Sequence, residues 1–174
     1  MTTQYQNLSN YNPDELPAAS KLAEQRYAIV VADWNAEITH AMLQSAVQTL
    51  IKSGVEPGKI NVYHVPGAFE LTYAAKQLVS EFYYLVDKIK VFRYAAVIVL
   101  GCVIRGETAH FDYICQGVTH GITELNLREE GCPIIFGVLT ANTPEQAKAR
   151  AGGKYGNKGA EAAITAIKIA NIDW

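Results

Sequence analysis

Two kinds of hydrophobic pattern alternate along most of the chain. Apolar runs typical of buried strands lie at Tyr27–Asp33, Tyr94–Val103 and Pro133–Leu139, and a short strand is predicted at Ile60–Val65. Apolar residues three or four positions apart follow each of these segments. They predict helices from Ala36 to Ser53, over Ala68–Ser80, from about Ala109, after the capping residue Thr143, and after the glycine-rich loop Gly152–Gly159. Strands that alternate with helices indicate βαβ units.

Such units predict an α/β fold, a three-layer αβα sandwich with a flavodoxin-like four-stranded parallel sheet and helices on both faces. Residues 1–26 are polar and contain two prolines, so we expect an N-terminal arm, with residues 27–174 as a single domain. The aromatic-rich segment Glu81–Arg93 is predicted to extend the preceding helix, with a break near Arg93.

Composition excludes several classes of protein. Apolar residues make up 49% of the 174 residues and charged residues 18%, which is typical of a globular chain, and a net charge of −2 without basic blocks argues against a nucleic-acid binder. The longest apolar stretch is too short to cross a membrane. No signal peptide is visible, and three cysteines without CxxC spacing favour reduced thiols in the cytoplasm over a disulfide framework. The four histidines have no metal-ligand spacing, so no metal site is predicted.

Ligands of parallel α/β sheets bind beyond the carboxyl ends of the strands. This rule selects four loops: Trp34-Asn35, Pro66–Glu70, Ile104–His110 and Thr140–Thr143. The third loop contains Gly106 and Thr108 and precedes a helix, whose free N–H groups suit a phosphate. His110 is suited to proton transfer near neutral pH. A capped helix start and a structural histidine remain the alternative interpretations.

The other loops carry further candidates. Glu70 can accept hydrogen bonds from sugar hydroxyls, or it can simply complement the helix dipole. Trp34 can stack on a planar heterocycle or cover the core. Arg150 suits a phosphate because its planar fork donates two hydrogen bonds, whereas Lys154 fits a solvated helix end.

Four strings, taken in order, resemble the lumazine synthase family. They are VPGAFELTYAAK at Val65–Lys76, GCVIRGETAHFDYIC at Gly101–Cys115, PIIFGVLT at Pro133–Thr140 and RAGGKYGNKGAEAA at Arg150–Ala163. The resemblance covers the chain from about Tyr27 to Ile172. It implies a cofactor-free transferase of riboflavin biosynthesis, which condenses 5-amino-6-(D-ribitylamino)uracil with 3,4-dihydroxy-2-butanone 4-phosphate. The products are 6,7-dimethyl-8-ribityllumazine, phosphate and water.

The resemblance also implies roles for individual residues. Trp34, with Asn35 beside it, takes the position that stacks on the pyrimidine, and Phe136 is an aromatic from the neighbouring subunit. The ribityl side matches Ala68, Phe69 and Glu70, and the pyrimidine edge matches Cys102, Val103 and Ile104. Glu107 and Thr108 match the phosphate turn, His110 the proton-transfer residue, Arg150 the phosphate-binding arginine and Lys158 a nearby lysine. An acid at position 107 is compatible with phosphate if its side chain points away.

The family further implies a homopentamer with active sites between subunits, and the compact Gly152–Gly159 loop favours an icosahedral 60-mer. Three alternatives remain at this point. A riboflavin synthase of the archaeal type would need no phosphate site, which Arg150 and Thr108 speak against. A flavin- or nucleotide-binding module lacks its glycine-rich fingerprint here. A structural shell protein would not require His110 and Glu70 at strand ends.

Overall fold

The computed structural model describes residues 9–79, 82–86, 89–128 and 131–173. The strands are β1 Tyr27–Ala32, β2 Ile60–Val65, β3 Phe82–Val86, β4 Ile89–Phe92, β5 Ala96–Ile104, β6 Ile134–Ala141, β7 Ala151–Gly153 and β8 Gly156–Asn157. The helices are α1 Ala19–Ala23, α2 Ala36–Ser53, α3 Leu71–Val79, α4 His110–Asn126, α5 Pro144–Ala149 and α6 Lys158–Ile169. Short 3-10 turns lie at Pro13–Glu15 and Pro57–Lys59.

The four strands predicted from the sequence form one parallel sheet, in the order β2-β1-β5-β6. All six residues of β1 are buried, as expected for a strand covered on both faces. Its alternate residues belong to two different cores. Tyr27, Ile29 and Val31 pack with α2, α5 and α6, whereas Ala28, Val30 and Ala32 pack with α3 and α4. The predicted flavodoxin-like αβα sandwich is confirmed.

The prediction for the segment after α3 is wrong. Instead of extending that helix, Phe82–Val86 and Ile89–Phe92 pair as an antiparallel hairpin, with Tyr84 opposite Val91. Aromatic and β-branched residues dominate both strands and favour extended backbone over helix. Ser80 and Glu81, which connect the two elements in sequence, lie outside the described residues. Helix α3 also begins at Leu71, three residues later than predicted, because Ala68–Glu70 form a turn.

The predicted capping residue of α5, Thr143, caps the helix. Thr143 Oγ1 accepts a hydrogen bond from Gln146 N–H at 3.3 Å, while Gln146 Oε1 accepts from Asn142 N–H at 2.8 Å rather than from Thr143. The predicted Gly152–Gly159 loop contains the β7–β8 hairpin, in which Gly152 and Gly156 have positive φ. The Asn157 side chain then caps α6.

Residues 9–26, the described part of the predicted N-terminal arm, pack on the sandwich. Leu22 of α1 is fully buried in the core shared with α2, and Lys168 of α6 contacts Glu15 at 2.6 Å. Ser9 Oγ donates to the backbone carbonyl of Asn157 at 3.1 Å. The division into an arm and a domain therefore stays a prediction. Among the described residues, every helix is too short or too polar to span a bilayer.

Candidate active site

A cavity of about 620 Å³ opens at the carboxyl edge of the sheet, where the loops after β1, β2 and β5 meet. Most of its lining is apolar or aromatic, with a few polar groups between. The lining residues are Trp34, Asn35, Pro66, Gly67, Ala68, Phe69, Glu70, Cys102, Val103, Ile104, Gly106, Thr108, His110, Phe111 and Ile114. An apolar cavity with few convergent polar groups is typical of a small-molecule site.

The first loop is held by backbone and amide hydrogen bonds. Trp34 N–H donates to Pro66 O at 3.0 Å, which joins the loops after β1 and β2. Asn35 Nδ2 donates to Cys102 O at 3.0 Å, which joins β1 to the end of β5. Asn35 has a φ of 61° and is the only non-glycine residue with positive φ in the described part of the chain. Asparagine tolerates this left-handed region better than most residues, so the sharp turn into α2 depends on it.

Two aromatic side chains at the cavity are left uncovered in the single chain. Trp34 is 73% exposed and Phe69 is 59% exposed, so neither covers the core. Phe69 rests against α4, where a Cβ built on Gly117 would lie 3.2 Å from its ring. Exposed aromatic faces of this kind suit stacking on a planar heterocycle.

The third loop presents His110 and Thr108 at the start of the 17-residue helix α4. No side chain caps this helix, apart from a long contact of 3.4 Å between His110 N–H and Thr108 Oγ1. The start of the helix therefore lies at the cavity, which Thr108, His110 and Phe111 line, and the positive end of the helix dipole there suits an anion.

Arg105 fixes the shape of this loop. Its guanidinium donates to both oxygens of Asp112, at 2.8 and 3.2 Å, and its Nε donates to Asn142 Oδ1 at 3.2 Å. It also lies 4.2 Å from the ring centroid of Phe111, a cavity residue. Hydrogen bonding from Arg105 lowers the pKa of Asp112. Because Asp112 neutralises Arg105, this arginine serves to position the loop.

Cys102 lines the cavity as a protonated thiol. Burial raises its pKa to about 11, so almost none of it is thiolate at neutral pH. This environment fits a packing residue at the end of β5 better than a nucleophile.

Comparison with known proteins agrees with this architecture. The family model described as 6,7-dimethyl-8-ribityllumazine synthase matches residues 24–173. Relatives of that name are 53% identical in Parabacteroides distasonis and 50% identical in Porphyromonas gingivalis, each alignment covering 99% of both chains. A third, from Phocaeicola vulgatus, is 47% identical over 97% of this chain and 92% of its own. The chain belongs to the 6,7-dimethyl-8-ribityllumazine synthase family. The identification made from the sequence motifs is confirmed.

The fold brings together ten of the fourteen residues that the lumazine synthase resemblance suggested. Those ten, all on the cavity wall, are Trp34, Asn35, Ala68, Phe69, Glu70, Cys102, Val103, Ile104, Thr108 and His110. Glu107 is exposed and absent from the lining. Phe136, Arg150 and Lys158 also lie outside the cavity of their own chain. Their roles stay predictions.

Arg150 is engaged within the chain. Its guanidinium donates to both Glu161 oxygens, at 2.6 and 2.9 Å, and to Tyr155 O at 2.7 Å. Lys158 Nζ also approaches Glu161, at 3.4 Å. Arg150 and Lys158 thus share the carboxylate of Glu161 beside the β7–β8 hairpin, outside the cavity lining of the same chain.

The sequence did not reveal Phe111 and Ile114 as cavity residues, or Arg105 as the residue that positions the third loop. Phe111 and Ile114 share one face of α4, so their helical spacing is a signal that was available. The bond between Arg105 and Asn142 gave no signal, because it joins residues 37 positions apart.

Proposed function

We propose that the cavity binds 5-amino-6-(D-ribitylamino)uracil and 3,4-dihydroxy-2-butanone 4-phosphate and condenses them to 6,7-dimethyl-8-ribityllumazine, releasing phosphate and water. One observation carries this proposal. The described lining combines two uncovered aromatics, a histidine and a helix N-terminus, yet contains no lysine or arginine. Such a site can stack on one face of a heterocycle and offers an anion only part of the charge it needs, so we expect a second chain to complete it.

The uracil occupies the first part of the cavity. Trp34 stacks on the pyrimidine, with Cys102, Val103 and Ile104 along its edge. The ribityl chain lies over the second loop, where Phe69 packs on its carbons and Glu70 accepts from its hydroxyls. The membership of the chain in the family supports these assignments, as does the position of all six residues on one wall.

The sugar phosphate occupies the end of the cavity at α4. Its phosphate accepts from the first-turn N–H groups and from Thr108, while the exposed Glu107 side chain stays outside. Arg150 and Lys158 of a neighbouring subunit share the single carboxylate of Glu161, so together they supply the missing positive charge. Phe136 of that subunit covers the pyrimidine. The arginine is prepared for this task because Glu161 holds its guanidinium in one orientation.

The chemistry then requires positioning and proton transfer. The 5-amino group attacks the ketone and loses water to form an imine. His110 accepts a proton from the carbon next to the imine, phosphate leaves by elimination, and the resulting enol tautomerises to a ketone. The ribitylamino nitrogen then attacks this ketone, and ring closure releases the second water. Holding two substrates together is worth about 7–11 kcal/mol, whereas one general acid–base contributes roughly 10²–10⁴-fold. His110→Ala is therefore expected to slow turnover without abolishing it.

Purified protein mixed with both substrates provides the test. We expect lumazine fluorescence and phosphate release only when both substrates are present, with slower rates for His110→Ala. The exposed histidine in the middle of α4 gives a matched control, because His120→Ala removes the same side chain far from the cavity lining. Phosphate release from the sugar phosphate alone, or no lumazine at all, contradicts the proposal.

The site between subunits has its own test. We propose a homopentamer in the cytoplasm, with further assembly into a 60-mer, which native mass spectrometry measures directly. Mixed oligomers of His110→Ala and Arg150→Ala chains then distinguish a shared site from one within a chain. A shared site regains activity wherever an intact histidine meets an intact arginine of the neighbour. No regain beyond the separate variants contradicts the shared site and leaves the reaction standing.

A further inference from the structure

Two histidines and an aspartate converge beside the cavity, outside its lining. Asp33 Oδ1 accepts from His64 Nδ1 at 2.7 Å and from His40 Nε2 at 3.3 Å. The two imidazole rings are nearly perpendicular, with centroids 5.6 Å apart. One ligand atom from each of the three residues lies within 4.8 Å of the others. Residues 33, 40 and 64 are dispersed in sequence, so their spacing gives no indication of this cluster.

The backbone holds the three residues in place. Asp33 N–H donates to Val65 O at 2.8 Å, which continues the β1–β2 pairing one residue beyond the strand. The register pairs Val31 with His64, so the side chains of Asp33 and His64 project from the same face of the sheet. Helix α2 covers that face and brings His40 from its second turn. Each ligand therefore comes from a rigid element.

We propose that Asp33, His40 and His64 bind a divalent transition-metal ion such as Zn²⁺. Two imidazole nitrogens and one carboxylate oxygen are a preferred donor set for such ions, in contrast to the all-oxygen sets of Ca²⁺ and Mg²⁺. Bonds of about 2.0–2.2 Å in a tetrahedron place ligand atoms roughly 3.3–3.5 Å apart. The His40–Asp33 separation already has this value, and the His64–Asp33 separation needs to open by less than an ångström.

Metal binding would replace the hydrogen bonds between the two imidazoles and Asp33 without changing the number of protons on the rings. Each ring N–H that now donates to Asp33 gives way to a nitrogen lone pair, and the ring proton moves to the other nitrogen. All three side chains are about half exposed, so an ion can reach them from solvent. Its fourth coordination position would be open to a water molecule. The ion would link the carboxyl ends of β1 and β2 to the first turns of α2. Because Asp33 precedes Trp34 in sequence, this link would lie next to the first loop of the cavity.

Tag-free full-length protein titrated with Co²⁺ tests the proposal, since Co²⁺ reports its coordination in the visible spectrum. We expect one ion per chain with d–d bands, competed away by Zn²⁺. Removing an outer partner of a metal ligand already costs roughly 10–100-fold in affinity. His40→Gln and His64→Gln, which each remove a ligand, are expected to weaken binding at least as much. His120→Gln is the matched control, since His120 also pairs with a carboxylate, Glu124, at 4.0 Å.

A second readout is thermal. Zn²⁺ should raise the melting temperature of the wild type and of His120→Gln but leave His64→Gln unchanged, because an ion that binds only the folded chain stabilises it. Unchanged Co²⁺ affinity in both ligand variants overturns the proposal. A thiolate charge-transfer band overturns it as well, since it would assign the ion to cysteine.

Discussion

Replacement of Asn35 separates two physical contributions at the candidate active site. Asn35→Ala removes the hydrogen bond from Nδ2 to Cys102 O and leaves an ordinary residue at a φ of 61°. Asn35→Gly removes the same hydrogen bond but adopts positive φ without steric cost. Both variants should reduce kcat/KM, because both release the link between the first loop and β5.

The expected losses of stability follow from these contributions. A typical hydrogen bond contributes about 1 kcal/mol net, which both variants lose. The left-handed conformation costs alanine about 1–2 kcal/mol. Glycine avoids this cost but loses roughly 0.4–1 kcal/mol because its unfolded chain has a larger entropy. We therefore expect Asn35→Ala to lower the free energy of unfolding by about 2–3 kcal/mol and Asn35→Gly by about 1.5–2 kcal/mol.

Urea unfolding followed by tryptophan fluorescence measures both values. All samples need one protomer concentration, because the stability of an oligomer depends on it. Equal losses in the two variants, or a larger loss for glycine, would refute the assignment of backbone strain to Asn35. A loss near zero in both would show that the bond to Cys102 contributes nothing.

Three further predictions concern packing, titration and loop position. A Cβ built on Gly159 would lie 1.9 Å from Met42 O, so Gly159→Ala should lower the free energy of unfolding in urea by about 3 kcal/mol. The control Gly58→Ala, where the Cβ meets open space, should change it by no more than about 0.5 kcal/mol, and equal stabilities of the two variants contradict the prediction. Because the pKa of Cys102 is about 11, alkylation of Cys102 in the folded protein should be slow at pH 8 and faster towards pH 11; rapid labelling at pH 8 contradicts this. The buried thiol's contribution to stability, complete below about pH 8.5, should be lost as the pH rises through 11. Arg105→Gln should raise the KM for the sugar phosphate more than it lowers kcat, because the third loop loses its link to Asp112; an unchanged KM argues against a positioning role.

The strands and the site loops follow from local patterns. A strand buried on both faces must be apolar at every position, and Tyr27–Ala32 is. The alternation with amphipathic helices then leaves one sheet type, and the carboxyl-end rule selects the cavity loops before any coordinates exist. The β3–β4 hairpin was not predicted because its apolar residues fit both the helical and the strand period. Only pairing with a second strand distinguishes a helix from a strand there.

By itself, the sequence determined the sheet, the order of its helices, the family and the loops that carry Trp34, Glu70 and His110. Only the tertiary structure decided which side chains meet across long distances in the chain. The convergence of His40 and His64 on Asp33 depends on strand register and on the face that α2 covers. The bidentate ion pair between Arg150 and Glu161 depends on the β7–β8 hairpin, which returns the chain to α6. Spacing along a chain reports burial and local backbone preference, whereas these contacts are set by packing between elements.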